Sequence, residues 1–394
     1  MTNHLVTQPV TSRPGPESWA GVVTLGLGIF TLIMSEFLPA SLLPRIAHGL
    51  DVSTGAAGQA VSVTAFAAAA SALLISVVLP RADRRRVLLG LIVLSIASNL
   101  IVTIAPNLVI LLLARVLLGI ALGGFWAMAT AVAAHLVRPE HLGRALTVIN
   151  SGVALATVGA VPLGAVLGDF WGWRTVFLIA AGVGALALAA QALTLPRVAP
   201  AKAGSLRALG AVLRSPFVIA GLLGILLVFS GHFSGFTYIR PATEDSAGMD
   251  ASSFTALLLV FGVLNFFGTL SAGPLADRFP RTGLFLFPVV LGTGMLVMFA
   301  GGASIAMLFL AAALWGFGFG GVPTTVLSWG ARSEPMRIEQ VSGAIVTVCN
   351  LAIAVGAVAG GVLVDGVYVT ASLLVGAVAA IGGGVILTSL KRAR

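Results

Sequence analysis

Among the ionisable side chains that fall inside long apolar stretches of this sequence are Glu36, Arg115 and His232. A charge in hydrocarbon costs about 2.5–3.5 kcal/mol even on the mildest insertion scale, so such residues normally face a partner, a water-filled cavity or an ion pathway. A carboxylate in that setting can take up and release a proton, and a guanidinium can hold a carboxylate. An imidazole can titrate or hydrogen-bond a ligand, or simply bridge to a neighbouring helix. Glu36 is the only acid placed well inside an apolar stretch. It precedes Arg45 by nine residues, roughly 13 Å of helix, and Arg115 follows Asn107 by eight, roughly 12 Å. The two depths match.

Composition says what must position these groups. The chain has 394 residues, 58% hydrophobic and only 9% charged, with a mean hydropathy of +1.07. Soluble domains carry roughly 25% charged residues, so lipid is the solvent. The net charge of +9 forms no continuous stripe and does not point to nucleic acid. Apolar runs of the length needed to cross about 30 Å of hydrocarbon fall near 19–43, 55–79, 87–105, 108–136, 143–168, 174–195, 217–239, 253–275, 283–301, 304–328, 341–364 and 368–390. The expected fold is an all-α membrane protein of twelve spans. Residues 1–18 lack an apolar signal-peptide core and read as a cytoplasmic tail. Lysine and arginine concentrate in alternate loops, leaving only Arg45, Arg174 and Arg240 on the other side. The positive-inside rule then puts both termini in the cytoplasm. The basic stretch 196–216 divides the spans into bundles at 19–195 and 217–390, with a short tail at 391–394. Cys349, the single cysteine, excludes an intrachain disulfide, and no metal or cofactor is expected.

The halves repeat. Gly119-Ile-Ala-Leu-Gly123-Gly124 matches Gly316-Phe-Gly-Phe-Gly320-Gly321 at an offset of 197 (119 to 316), as Gly159 to Gly164 matches Gly356 to Gly361. Asp83-Arg84 matches Asp277-Arg278 at 194 (83 to 277), and Ser35-Glu36-Phe37 loosely matches Gly231-His232-Phe233 at 196 (35 to 231). Several matches in one order near one offset mean duplicated bundles. Parallel repeats of this kind place a substrate site at their interface near the membrane midplane.

Three motifs add detail. Gly273-Pro-Leu-Ala-Asp277-Arg278-Phe-Pro-Arg281 follows the eighth span, and a degenerate copy, with Asp83 and Arg84 but without the leading glycine, follows the second. Carboxylate and arginines at helix ends can form charge-assisted hydrogen bonds that latch the bundles, or can serve topology alone. Arg115-x-x-x-Gly119-x-x-x-Gly123 puts small residues four apart, as close helix packing requires. Gly159, Pro162 and Gly164 make the fifth span kinkable and closely packed.

With these motifs the sequence resembles the major facilitator superfamily along essentially its whole length, in particular the twelve-helix drug:proton antiporter branch. Ser35-Glu36-Phe37-Leu38-Pro39, Gly123-Gly124-Phe125-Trp126 and Phe236-Thr237-Tyr238-Ile239-Arg240-Pro241 resemble its bacterial purine ribonucleoside efflux pumps. The resemblance implies two pseudo-symmetric six-helix bundles, a bacterial inner-membrane location and proton-driven export by alternating access, by a monomer whose partners are a small molecule, a proton and the lipid bilayer. In that fold the first and fourth spans border a central cavity, which makes Glu36 the expected proton carrier, with Arg115 and His232 assisting. A fixed Glu36–Arg115 ion pair is the alternative. A nucleoside calls for aromatic faces and amides. Trp126, Phe125, Phe236, Tyr238 and Trp315 offer the first, Asn150, Asn265 and Asn350 the second. Sugars or amphipathic drugs remain alternative cargo. No phosphate-loop motif is present to drive transport by ATP. A channel would need a continuous polar pore, and an enzyme a convergent catalytic set; neither is evident.

Overall fold

The computed structural model describes residues 17–52, 54–199, 206–239, 242–243, 249, 251–301, 304–366, 368 and 370–389. Most of the expected N-terminal tail, linker residues 200–205, Arg240 and the C-terminal tail lie outside the described residues. The described chain is helical, and no strand occurs in it. Its helices are α1 (Trp19–Gly49), α2 (Thr54–Val78), α3 (Arg84–Ile104) and α4 (Leu108–Leu136), then a long run, Leu142–Thr194, broken at Gly172 into α5 and α6. A nine-residue linker helix, α7 (Leu206–Arg214), leads to α8 (Pro216–Phe236), α9 (Ala251–Arg278), α10 (Pro280–Ala300), α11 (Ile305–Ser333), α12 (Ile338–Gly366) and α13 (Ala371–Ser389). Eleven stretches among the described residues are long and apolar enough to cross a membrane. The part of the broken run before Gly172 (142–171) is about 45 Å long and makes the twelfth spanning helix.

Local sequence sets the helix ends. Asp83 accepts the Arg85 N–H at 2.9 Å and Asn107 the Ile110 N–H at 3.0 Å, capping α3 and α4. Pro216 and Pro280 stand in the first turns of α8 and α10, where no N–H is needed. Gly172 adopts φ +77°, a left-handed value that β-carbon-bearing residues avoid, and so turns the chain between α5 and α6 within one residue. The sequence suggested a loop from 169 to 173; a single glycine suffices.

Glycines then set the register between helices. A methyl at Gly119 would meet the Thr64 carbonyl and one at Gly123 the Ala68 carbonyl, so α4 lies backbone-to-backbone on α2. In the second half Gly316 faces the Phe261 carbonyl and Gly320 the Asn265 carbonyl, joining α11 to α9. All four contact pairs keep the offset of 197 (64 to 261, 68 to 265, 119 to 316, 123 to 320). The repeat seen in sequence is therefore a repeat of contacts. Gly159 behaves differently from its counterpart. A methyl there meets nothing within 4 Å, whereas Gly356 lies against the Ser230 carbonyl. Gly164 is buried within α5. Pro162 lies within the helical run, but its side chain is outside the described residues.

The bundles meet at the end that carries the basic loops. There Arg84 of α3 forks onto Glu339 of α12, Nε to Oε1 at 2.5 Å and Nη2 to Oε2 at 2.7 Å. Both side chains are buried, 1% and 2% exposed. Across the molecule Asp277 of α9 accepts the Gly143 and Arg144 N–H groups at 2.6 and 3.1 Å, capping α5 from the other bundle. Gly273 lies against Thr147 and the Gly143 carbonyl at the same crossing. These contacts correct the motif as read from sequence. In the first copy Arg84 makes the bundle-to-bundle pair while Asp83 caps its own helix and faces the Val198 N–H at 3.4 Å. In the second copy Asp277 makes the contact, and Arg278 and Arg281 are exposed. Nearer the midplane, Thr147 donates to the Thr269 carbonyl, Asn150 to Thr324 and Thr347 to the Ala69 carbonyl, each joining the two bundles.

Candidate functional site: a cavity on the pseudo-twofold axis

Beyond that seam the bundles enclose a cavity of about 380 Å³, within the range of small-molecule sites. Its wall holds Glu36 and Phe37 from α1, Trp126 from α4, Asn150 from α5, Phe229 and Phe233 from α8, Asn265 and Thr269 from α9, Phe319 and Pro323 from α11, and Cys349 and Asn350 from α12. Several wall positions are repeat partners at 197: Ala68 with Asn265, Leu122 with Phe319, Gly123 with Gly320, Trp126 with Pro323, and Val153 with Asn350. The cavity therefore lies on the axis that relates the halves. Apart from the paired glycines, the residues across that axis differ in kind, and this turns a symmetric scaffold into an asymmetric pocket.

Glu36 is partly exposed at the wall. Among the described residues its carboxylate has neither a hydrogen bond nor an ion pair within 4.0 Å. Arg115 is wholly buried behind it. The guanidinium donates from Nη1 to the Ser35 carbonyl at 2.9 Å, from Nη2 to the Glu36 carbonyl at 3.2 Å and from Nε to the Thr64 hydroxyl at 3.1 Å. The two residues meet as the sequence depths implied, but through the backbone. A direct salt bridge, the alternative reading, is absent from this structure. Ser35 also accepts from the Asn99 amide at 2.8 Å, so α1, α2, α3 and α4 are tied together beneath the acid.

The amides divide. Asn150 donates to the Leu146 carbonyl and to Thr324, and Asn350 donates to the Val346 carbonyl at 2.9 Å. The Asn265 side chain has no partner among the described residues and borders the cavity. Of the rings named from sequence, only Trp126 borders it. Phe125 is buried against Gly28. Tyr238 donates to the Ala357 carbonyl at 2.9 Å, tying the turn that follows α8 to α12. Phe236 and Trp315 pack around His232. His232 is itself 1% exposed and off the wall, its Nδ1 accepting from the Trp315 indole at 2.9 Å. An indole N–H only donates, so that nitrogen carries no proton and the imidazole is neutral. The structure thus holds His232 as a stacked core ring rather than a cavity group.

Phe37, Phe229, Phe233 and Phe319 line the wall without having been singled out in sequence. Phenylalanine is frequent here, 21 residues in all, so composition gave no means of choosing among them.

A family model for the Major Facilitator Superfamily matches residues 25–357. The chain belongs to the major facilitator superfamily. It is a multi-pass membrane transporter of that superfamily, not an enzyme. The purine ribonucleoside efflux pump NepI of Salmonella paratyphi B is 37% identical to it over 348 residues, 88% of each chain. The transcription regulatory protein OpdE of Pseudomonas aeruginosa is 39% identical over 362 residues, 90% of each. Among solved structures, the superfamily transporter FucP in its outward conformation superposes with a TM-score of 0.77 at 15% identity, over 94% of this chain and 99% of that one. The human organic anion transporter MFSD10 gives 0.75 at 19%, over 96% and 100%. At these identities the structures speak for the superfamily fold alone.

Proposed function

We propose that this transporter is a proton-coupled antiporter that exports purine ribonucleosides or their analogues. The observation that carries the reading is the Glu36 carboxylate, unpaired at the wall of a cavity of nucleoside size, with Arg115 fixed just behind it. A carboxylate free of any salt bridge can exchange its proton with the cavity without first breaking one. Rings and amides on the same wall supply stacking and edge contacts for a base. The efflux activity in the name of NepI accords with this cargo.

The seam of Arg84–Glu339 and Asp277–Gly143 closes one end of the cavity, and alternating access requires it to break. The moving bodies in this reading are the helices of 19–195 and 217–390. The basic loops face the bacterial cytoplasm and the protein works as a monomer. One proton falling through 100 mV yields about 2.3 kcal/mol, roughly fifty-fold accumulation. The test is counterflow in vesicles with inosine, guanosine, adenosine, arabinose and chloramphenicol, with and without a pH gradient. Gradient-dependent counterflow of the nucleosides, lost in Glu36→Gln, is the expected result. Transport of arabinose or chloramphenicol in their place would move the reading to sugar or drug efflux.

A further inference from the structure

The wall of the cavity on the second bundle has a feature that the first lacks. Phe319 lies face to face with His232, ring centroids 3.5 Å apart and planes 8° from parallel. Phe236 stacks on the imidazole at 5.1 Å and 23°. Trp315 and Phe233 meet the imidazole edge-on, at 83° and 76°. The Trp315 indole N–H on Nδ1 fixes the turn of the imidazole in its slot. Glycines beside each ring hold the helices that carry them. Gly231 lies against the Gly376 carbonyl, Gly235 against Met295 and Trp315, and Gly320 against the Asn265 carbonyl.

Such a stack makes a rigid platform. One face of Phe319 is covered by the imidazole, yet the ring still borders the cavity, so a ligand meets what remains of it. Preorganised aromatic surfaces bind planar rings at a reduced entropic cost, because no protein side chain has to be ordered on binding. The repeat partner of Phe319 at the offset of 197 is Leu122, so the first half carries an aliphatic side chain where the second carries the ring. At the same offset Glu36 falls opposite Phe233, and both border the cavity.

We infer that Phe319 is the stacking surface for the planar heteroaromatic ring of the substrate, and that His232 is a positioning residue that holds it flat. The inference rests on the nucleoside reading for the identity of the ring, though the platform would take any planar heteroaromatic. It also divides the labour: the proton is handled on the first bundle and the ring on the second.

The test compares ring-bearing and ringless ligands, inosine against ribose, with benzimidazole as a ring without a sugar, on the purified full-length protein and in vesicles. Phe319→Leu, which reproduces the residue of the other half, is expected to weaken inosine and benzimidazole by roughly five- to 150-fold and to leave ribose unchanged. Phe319→Tyr should restore binding. His232→Asn keeps an acceptor for Trp315 but no ring, and should raise the KM for inosine several-fold without lowering kcat; His232→Phe should bring it back. Wild-type-like inosine affinity in a folded Phe319→Leu overturns the platform while leaving the nucleoside reading standing. Benzimidazole binding that depends on Phe319, with no nucleoside binding, keeps the platform and ends the nucleoside reading. No binding of any ring-bearing ligand by the wild type ends both. Equal losses for inosine and ribose in His232→Asn would make His232 a merely structural residue.

Discussion

Arg115 grips the backbone carbonyl of Glu36 and leaves its carboxylate alone. The hydrogen bonds by which Arg115 keeps α1 against α4 thus end on backbone carbonyls and not on the group that titrates. A carrier acid can then titrate without loosening the helix that bears it.

Glu36→Gln should therefore fold normally, with stability within about 0.5 kcal/mol of wild type, while losing gradient-driven accumulation. Parallel thermal unfolding and vesicle transport measure the two properties. Arg115→Ala should fail differently, because each buried carbonyl left without a donor costs about 1–3 kcal/mol. Normal pH-gradient dependence in a folded Glu36→Gln would remove the acid from the coupling step.

Glycine substitutions should separate packing from open space. Alanine at Gly123 or Gly320 drives a methyl into the Ala68 or Asn265 carbonyl of the facing helix, and overpacking of this kind costs about 1–3 kcal/mol or more. Gly159→Ala meets nothing within 4 Å and should leave Tm unchanged. Thermal unfolding in detergent ranks the three.

At the seam, Glu339→Ala strands the buried Arg84 guanidinium. Removing one partner of such a pair typically costs about 3–5 kcal/mol, and here the loss falls on the conformation closed at the basic end. Cys349, the only cysteine and a wall residue, reports the outcome. Its labelling by a maleimide applied from the basic-loop side should rise in Glu339→Ala and fall when substrate fills the cavity.

Glu17 gives a pH prediction. The Arg138 N–H chiefly, with His141, Trp19 and the Arg138 guanidinium, holds its carboxyl at about 2, below the ordinary 4.5, against the opposing effect of desolvation. With the folded value below the unfolded one, its contribution is complete above about pH 4.5 and disappears as pH falls toward 2. Hydrogen exchange at the start of α1, relative to the intrinsic amide rate at each pH, should therefore quicken over that window in the wild type. In Glu17→Gln it should be fast already at neutral pH.

How much was legible beforehand depends on the physics of each feature. Spans, duplication and the glycine contacts follow from local composition and period, because a helix in lipid must be apolar for its whole length and small where another backbone touches it. The matched depths of Glu36 and Arg115 could be counted along two helices. Glu339 could not be found this way. It is the second residue of α12 and lies in a buried seam, yet in sequence it reads as a loop residue ahead of a span expected from 341. His232 looked like a titrating group because sequence shows an imidazole but not the indole pointing at it. Phe319 was one phenylalanine among many until the helices turned it toward both His232 and the cavity. Sequence alone thus determined the membrane fold, its internal repeat and the depth of its charges. Only the tertiary structure decided which of those charges are paired, and which rings border the cavity, because both depend on rotations of helices about their own axes that no one-dimensional spacing specifies.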